Sequence, residues 1–240
     1  MNKAHLTFGF SLLLAAMSST VLAQDAAGPH NFTFSGSLVS DYAFRGISQT
    51  QEDPALQASL DYTHESGFYA GVWGSNVDFT TPGVPDDGAD VEIDTYIGWR
   101  FPVGERVAAD IQFIRYNYPG TNSGVDYDYN ELIGKLTFGW LTGGVGWSND
   151  VFGSGESAPY YFTSGAWSLP HAVALSVGIA HYDLDNVFSV GYTDYNVGIS
   201  RQFGFFKLGL TYVGTDDNGE DIFGDLGGDR LIASIGFTYD

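Results

Sequence analysis

Four carboxylates, Asp216, Asp217, Glu220 and Asp221, open the run DDNGEDIFGDLGGD at residues 216–229. Oxygen donors gathered in this way are the chemistry of hard divalent cations. Their spacing departs from the D-x-[DN]-x-[DN]-G-x5-E pattern of a dedicated calcium loop, so loose cation association is expected and no tight metal site. With six carboxylates, four glycines and no basic residue, the run reads equally as a solvated connection between two half-buried strands.

Histidine is the other residue type that could do chemistry here, as general base or metal ligand. The five histidines are His5, His30, His64, His171 and His181, and none falls into a metal-binding spacing. His181 stands where an interfacial lipid hydrolase would place its base. The nearest serine in sequence, Ser189, has no assigned geometry beside it, so a hydrogen-bonded interfacial histidine is the simpler reading. No glycine-rich loop follows a strand and opens a helix, which leaves no phosphate cradle. Neither enzyme activity nor a cofactor is expected.

Composition decides what must position these groups. The chain of 240 residues has 9 basic and 29 acidic side chains, a formal charge of −20. Such a surface repels phosphate backbones, which argues against nucleic acid as a partner. Residues 1–23, MNKAHLTFGFSLLLAAMSSTVLA, place Lys3 before an apolar run from Leu6 to Ala16, with Val21 and Ala23 at the −3 and −1 positions. The expectation is a secretory signal cleaved before Gln24, too short in its apolar part for a strong transmembrane helix. Residues 24–240 then form one domain. There is no cysteine, so disulfides do not hold it together. Glycine is abundant at 32 residues, alongside 15 Tyr, 18 Phe and 5 Trp, a sheet composition rather than a helical one.

Twelve runs alternate apolar with small or polar residues: 31–42, 54–63, 67–78, 90–101, 105–118, 127–138, 141–150, 159–168, 172–182, 192–202, 205–215 and 230–239. The fifth changes phase near Phe113 and Ile114, which reads as a bulge. The gaps alternate in length. AFRGISQTQED is long and HES short; FTTPGVPDDGA is long and PVG tight; the pattern continues to the acidic run at the end. A meander of this kind collects its long loops at one end and its tight turns at the other. The expected fold is therefore all-β, an antiparallel up-and-down transmembrane β-barrel of about twelve strands, with short periplasmic turns and long extracellular loops. The acidic run becomes the sixth outward loop.

Period-two parity assigns the two faces. The lipid face is expected to carry Phe32, Phe34, Leu38, Ile93, Ile97, Val145, Leu175, Val177, Ile199, Leu210, Ile235 and their like, with Tyr42, Trp99, Trp140, Trp167, Tyr182, Tyr212 and Tyr239 in aromatic girdles. The lumen candidates are Asp61, Glu92, Asp94, Arg100, Asp110, Arg115, Glu131, Lys135, Asp194, Lys207 and Arg230. Both signs occur among them, so acid–base networks are expected across a nearly balanced wall. In the first outward loop, Arg45 either holds the loop, bonding carbonyls or Asp41 where Gly46 permits a turn, or folds inward as a constriction.

The stretch LVSDYAFRGISQTQEDPALQASLDYTHESGFYAGVWGSNVDF, residues 38–79, resembles the N-terminal signature of the TorF-family porins, exported proteins of proteobacteria. The likeness lies in Ser40, Asp41, Tyr42, Phe44, Arg45, Gly46, Ser48, Gln49 and Thr50, then Pro54, Gln57, Asp61 and Tyr62, then Gly67, Phe68, Tyr69, Gly71, Trp73, Ser75 and Asn76. VEIDTYIGWRF and YNYPG extend it. What the resemblance implies is an outer-membrane barrel of pore function, without an established substrate or catalytic residues. The chain ends GFTYD, so Asp240 follows the terminal aromatic Tyr239.

The function expected is passive diffusion of small polar solutes across the outer membrane, with a mild cation preference set by the mouth. The expected partners are outer-membrane lipid, the barrel-assembly machinery and those solutes. The alternative is a non-conducting barrel used for adhesion or envelope architecture, and a soluble periplasmic β-protein stands third. No outward stripe marks an oligomer interface.

Overall fold

The computed structural model describes residues 29–79 and 87–240. The expected leader 1–23, with His5, and residues 80–86 of the second long connection lie outside the described residues. Twelve long strands form one closed barrel: β1 (His30–Val39), β4 (Ala55–His64), β5 (Phe68–Asn76), β6 (Val91–Val103), β7 (Val107–Asn117), β8 (Tyr129–Phe138), β9 (Leu141–Ser148), β10 (Ala158–Leu169), β11 (Val173–Tyr182), β12 (Tyr192–Phe203), β13 (Phe206–Thr215) and β14 (Arg230–Tyr239). Each pairs antiparallel with its neighbour, and β1 closes the ring by pairing with both β4 and β14. Closure leaves no sheet edge, the condition for a β-structure to sit in hydrocarbon. Two further short strands, β2 (Ala43–Phe44) and β3 (Ile47–Ser48), form a separate hairpin inside the first connection.

The alternation that makes these strands is visible in β6. Val91, Ile93, Ile97 and Trp99 are exposed on the outside, whereas Glu92, Asp94 and Tyr96 between them are buried inside. The same division runs around the ring, with Phe32, Leu60, Phe113, Leu136, Ile179, Val197, Leu210 and Ile235 on the outer surface. A soluble protein does not present such an apolar belt to water. Trp99, Trp140, Tyr212 and Tyr239 stand exposed as girdle residues, and Trp167 stacks on Trp140 with ring centroids 5.0 Å apart.

Connections alternate strictly. The turns at 65–67, 104–106, 139–140, 170–172 and 204–205 share one end of the barrel, and the longer segments 40–54, 118–128, 149–157, 183–191 and 216–229 share the other, together with the described parts 77–79 and 87–90 of the second connection. The acidic run is thus a long connection. It is not an open loop: Asp217–Phe223 forms a short helix, α1 here being Asp185–Phe188 in the preceding loop and α2 this one.

Three expectations are corrected. β7 has no bulge, because its register runs unbroken against β6 from Val107 to Asn117 and against β8 from Val107 to Tyr116. Unbroken parity puts Arg115 outside with Ile111 and Phe113, not in the lumen; there it pairs with Asp128 at 3.0 Å. Tyr42 and Tyr182, expected in a girdle, are each 1% exposed inside the barrel. All three corrections have one cause, an inward fold of the first connection.

Candidate functional site

The first strand stops at Val39, earlier than its alternation suggests, and the chain turns into the lumen. Hydrogen bonds fix the base of the inward segment. Asp41 accepts from Ser48 Oγ at 2.6 Å and Thr50 Oγ1 at 3.0 Å, and it meets Arg230 Nη1 at 3.3 Å. Tyr42 lies edge-on to Trp73 of β5, centroids 5.3 Å apart. Burial, and then the charges of Glu92 and Asp94, push its hydroxyl well above the usual tyrosine range. The second connection braces the segment from above, where Asp78 N–H donates to Gln49 O at 2.8 Å.

At the tip, Phe44 pairs with Ile47 across a two-residue turn made of Arg45 and Gly46. Both turn residues have positive φ, 51° and 83°, as a tight hairpin requires. Glycine adopts that conformation freely; an arginine there carries strain of about 1–3 kcal/mol. Gly46 is also forced by contact, since a Cβ on it would stand 2.6 Å from Thr215 Cγ2 and 2.9 Å from Gly214 O. The tip has therefore crossed from β1 to touch β13.

What holds the strained arginine is the opposite wall. Arg45 Nη2 donates to both oxygens of Glu131 on β8, at 2.6 and 2.8 Å. Its guanidinium carbon lies 3.9 Å from the ring centroid of Tyr160 on β10, 4.3 Å from that of Tyr182 on β11 and 4.8 Å from Phe44. Tyr116 Oη donates to Glu131 at 3.1 Å and Tyr192 Oη donates to the Arg45 carbonyl at 3.0 Å. The side chains of Arg45 and Glu131 are 3% and 1% exposed. Burial alone would pull the guanidinium down, but the Glu131 carboxylate outweighs it and holds the charge well above the ordinary arginine value.

The remaining lumen candidates divide between the two ends. Toward the long loops, Glu92, Asp94 and Asp194 are buried on the inner face with Glu131. Glu92 accepts from Tyr118 Oη at 3.1 Å and Asp194 from Tyr160 Oη at 2.9 Å. Neither oxygen of Asp94 finds a hydrogen-bond partner among the described residues. Toward the short turns, Arg100 Nε and Lys135 Nζ meet Asp110 Oδ2 at 3.1 and 3.5 Å, and Tyr69 Oη donates to Asp110 Oδ1 at 2.6 Å. Asp61 accepts from Ser59 Oγ at 2.8 Å and from Tyr96 Oη. Lys207 is buried on the inner face of β13. Arg230 sits at the long-loop mouth, donating to the Gly228 carbonyl at 2.8 Å as well as meeting Asp41. The expected acid–base networks form at both ends, but unevenly: toward the long loops Asp41, Glu92, Asp94, Glu131 and Asp194 outnumber Arg45 and Arg230, and toward the short turns Arg100, Lys135 and Lys207 outnumber Asp61 and Asp110.

The four carboxylates of the acidic run do not converge. Asp216 caps α2 and accepts from Thr193 N at 3.0 Å, while Asp217, Glu220 and Asp221 stand exposed. No group of three or more His, Cys, Asp or Glu among the described residues is placed to hold a metal ion. His181 points outward with its Nδ1 3.3 Å from Thr193 Oγ1.

Sequence parity alone did not reveal the cage around Arg45. A signal was present. Tyr116, Tyr129, Tyr160, Tyr182 and Tyr192 all fall at inward parity near the long-loop ends of their strands, each 2% exposed or less. Five tyrosines converging at one level of a lumen mark a packed interior, not a solvated bore.

Residues 23–237 match the family model described as a bacterial protein of unknown function (Gcw_chp). That match does not carry the TorF name. No curated protein matches the chain. Among solved structures, the KdgM porin is similar over 87% of this chain and 99% of its own, at 6% identity and a TM-score of 0.52. A membrane protein from a study of in-meso crystallisation is similar over 87% and 83%, at 12% identity and a TM-score of 0.53. At such identities the likeness is one of fold.

Proposed function

The chain belongs to the Gcw_chp family of bacterial proteins of unknown function, and on the geometry of its barrel we propose that it is an outer-membrane porin whose first loop constricts the outward half of the lumen. The finer resemblance of residues 38–79 to the TorF-family porins agrees with this reading. The barrel would insert through the barrel-assembly machinery, with its long loops outward and its apolar belt in lipid. It is a channel and not an enzyme.

The observation that carries the reading is the pairing of a closed apolar-belted ring with a polar, charge-bearing interior crossed by one hairpin. Closure and belt suit a bilayer. Charged groups lining the interior suit small polar solutes, and the excess of buried carboxylates toward the long-loop mouth favours cations. Passage requires the hairpin to yield, since Arg45, Glu131 and the tyrosines fill the bore at their level.

Planar-bilayer recordings of the folded chain test this. Openings with a reversal potential on the cation side of zero in a salt gradient are expected, rarer in the native chain than in Arg45→Ala. A second reading, a non-conducting structural barrel, draws on the burial of that same layer. Silence of both proteins across voltages would establish it and remove the porin.

A further inference from the structure

We infer that the wall facing the first loop is a binding site for small guanidinium-bearing cations, and that Arg45 occupies it as the barrel's own ligand. The inference rests on the porin reading for access from outside and names the solute class that the constriction selects.

The site belongs to the wall. Glu131 lies on β8, Tyr160 on β10 and Tyr182 on β11, and each would stay in place if the hairpin withdrew. Together they supply what a planar cation needs: a carboxylate at 2.6 and 2.8 Å, and aromatic faces at 3.9 and 4.3 Å from the guanidinium carbon. Rings and carboxylate around one cation are a recognition device for guanidinium and ammonium groups. Tyr116, donating to Glu131 at 3.1 Å, orients the carboxylate from β7.

Arg45 does not exhaust the site. Only Nη2 bonds Glu131, so both carboxylate oxygens share one nitrogen, and Nε and Nη1 lack hydrogen-bond partners among the described residues. A guanidinium freed of the tether could turn to present two parallel N–H groups, the fork geometry that carboxylates bind most strongly. The hairpin reaches this position through a left-handed arginine at φ 51°, so the tether works against its own backbone preference. Glu92, Asp94 and Asp194, buried in the same half of the lumen, draw cations toward it. In the native chain Arg45 competes at the high effective concentration of an intramolecular ligand. A free cation therefore enters only as the hairpin lifts.

Chemical rescue tests this. The full chain is folded in detergent as native protein, Arg45→Ala, and Arg45→Ala with Glu131→Gln, each with methylguanidinium, with methylurea (the neutral isostere) or with sodium chloride at matched ionic strength. Methylguanidinium should raise the unfolding temperature of Arg45→Ala by about 2–4 °C and reduce its channel current. Methylurea and sodium chloride should do neither, the native chain should respond little, and the Glu131→Gln background should lose the effect. If Arg45→Ala folds poorly, refolding yield is the readout: recovery with methylguanidinium supports the site, and no recovery counts against it. Equal responses to methylguanidinium and methylurea, or a response that survives Glu131→Gln, would overturn the inference. Specific stabilisation of a silent barrel would remove the porin reading and leave this one; conduction without stabilisation would do the reverse.

Discussion

Arg45 shows what a single residue can do to a barrel interior. Its guanidinium is buried, charged and in contact with Glu131, with two wall tyrosines over it. Removing one partner of such a pair strands the other charge away from water, which costs about 3–5 kcal/mol. Glu131→Gln should therefore lower the unfolding free energy in urea titrations of the vesicle-folded barrel by that order. A loss within experimental error would mean that the pair is solvated and the lumen open at this level. The sequence brought Arg45 forward through its turn signal, arginine before glycine, but left two fates open. One of them bonds it to loop carbonyls or to a carboxylate such as Asp41, close in the chain; the other folds it inward as a constriction. The actual partner lies 86 residues away on the far wall, a distance that no local pattern encodes.

At the scale of elements, the strands and connections were legible, and the inward hairpin only as one of two alternatives for the first loop. Twelve runs alternate with period two, and their gaps alternate between tight and long, so ring and parity follow from pattern alone. The failures share one cause. Ile114 is fully buried at inward parity because the hairpin turns the outward half of the lumen into a packed core, where apolar side chains belong on both faces of the strand. Read without the hairpin, Phe113 followed by Ile114 breaks the alternation and imitates a bulge, and Arg115 is carried to the wrong face. Tyr42 and Tyr182 were sent to a girdle by the same assumption of a wet bore. The hairpin itself depends on Gly46, whose Cβ would meet Thr215 Cγ2 at 2.6 Å and whose φ is 83°. Gly46→Ala should displace the tip without opening the ring. In planar bilayers it should show more frequent openings than the native chain while retaining the heat-modifiable gel mobility of a folded barrel. Unchanged gating would place the tip away from β13.

At the scale of the molecule, charge is sorted along the axis. Glu92, Asp94, Glu131 and Asp194 lie toward the long loops, where they outnumber Arg45 and Arg230, and Arg100, Lys135 and Lys207 lie toward the short turns, where they outnumber Asp61 and Asp110. Counting signs from sequence showed a nearly balanced wall and missed the sorting, because position along the axis depends on where each strand begins. An acidic mouth enriches cations before they meet the constriction. Neutralising Glu92 and Asp94 together, as Glu92→Gln with Asp94→Asn, should move the reversal potential toward zero, and an unchanged potential would assign selectivity to the exposed loops instead. All of this depends on the hairpin being inside. The chain has no cysteine of its own, so single cysteines report accessibility cleanly. Ile47, on the hairpin, is 6% exposed, whereas Asp217, on the outward helix α2, is exposed. Labelling of Ile47→Cys and Asp217→Cys in the folded barrel by a membrane-impermeant thiol reagent is the most direct measurement. The expected result is prompt reaction at Asp217→Cys and protection at Ile47→Cys until the barrel is unfolded; equal rates in the folded state would put the hairpin in solvent and contradict the plugged lumen.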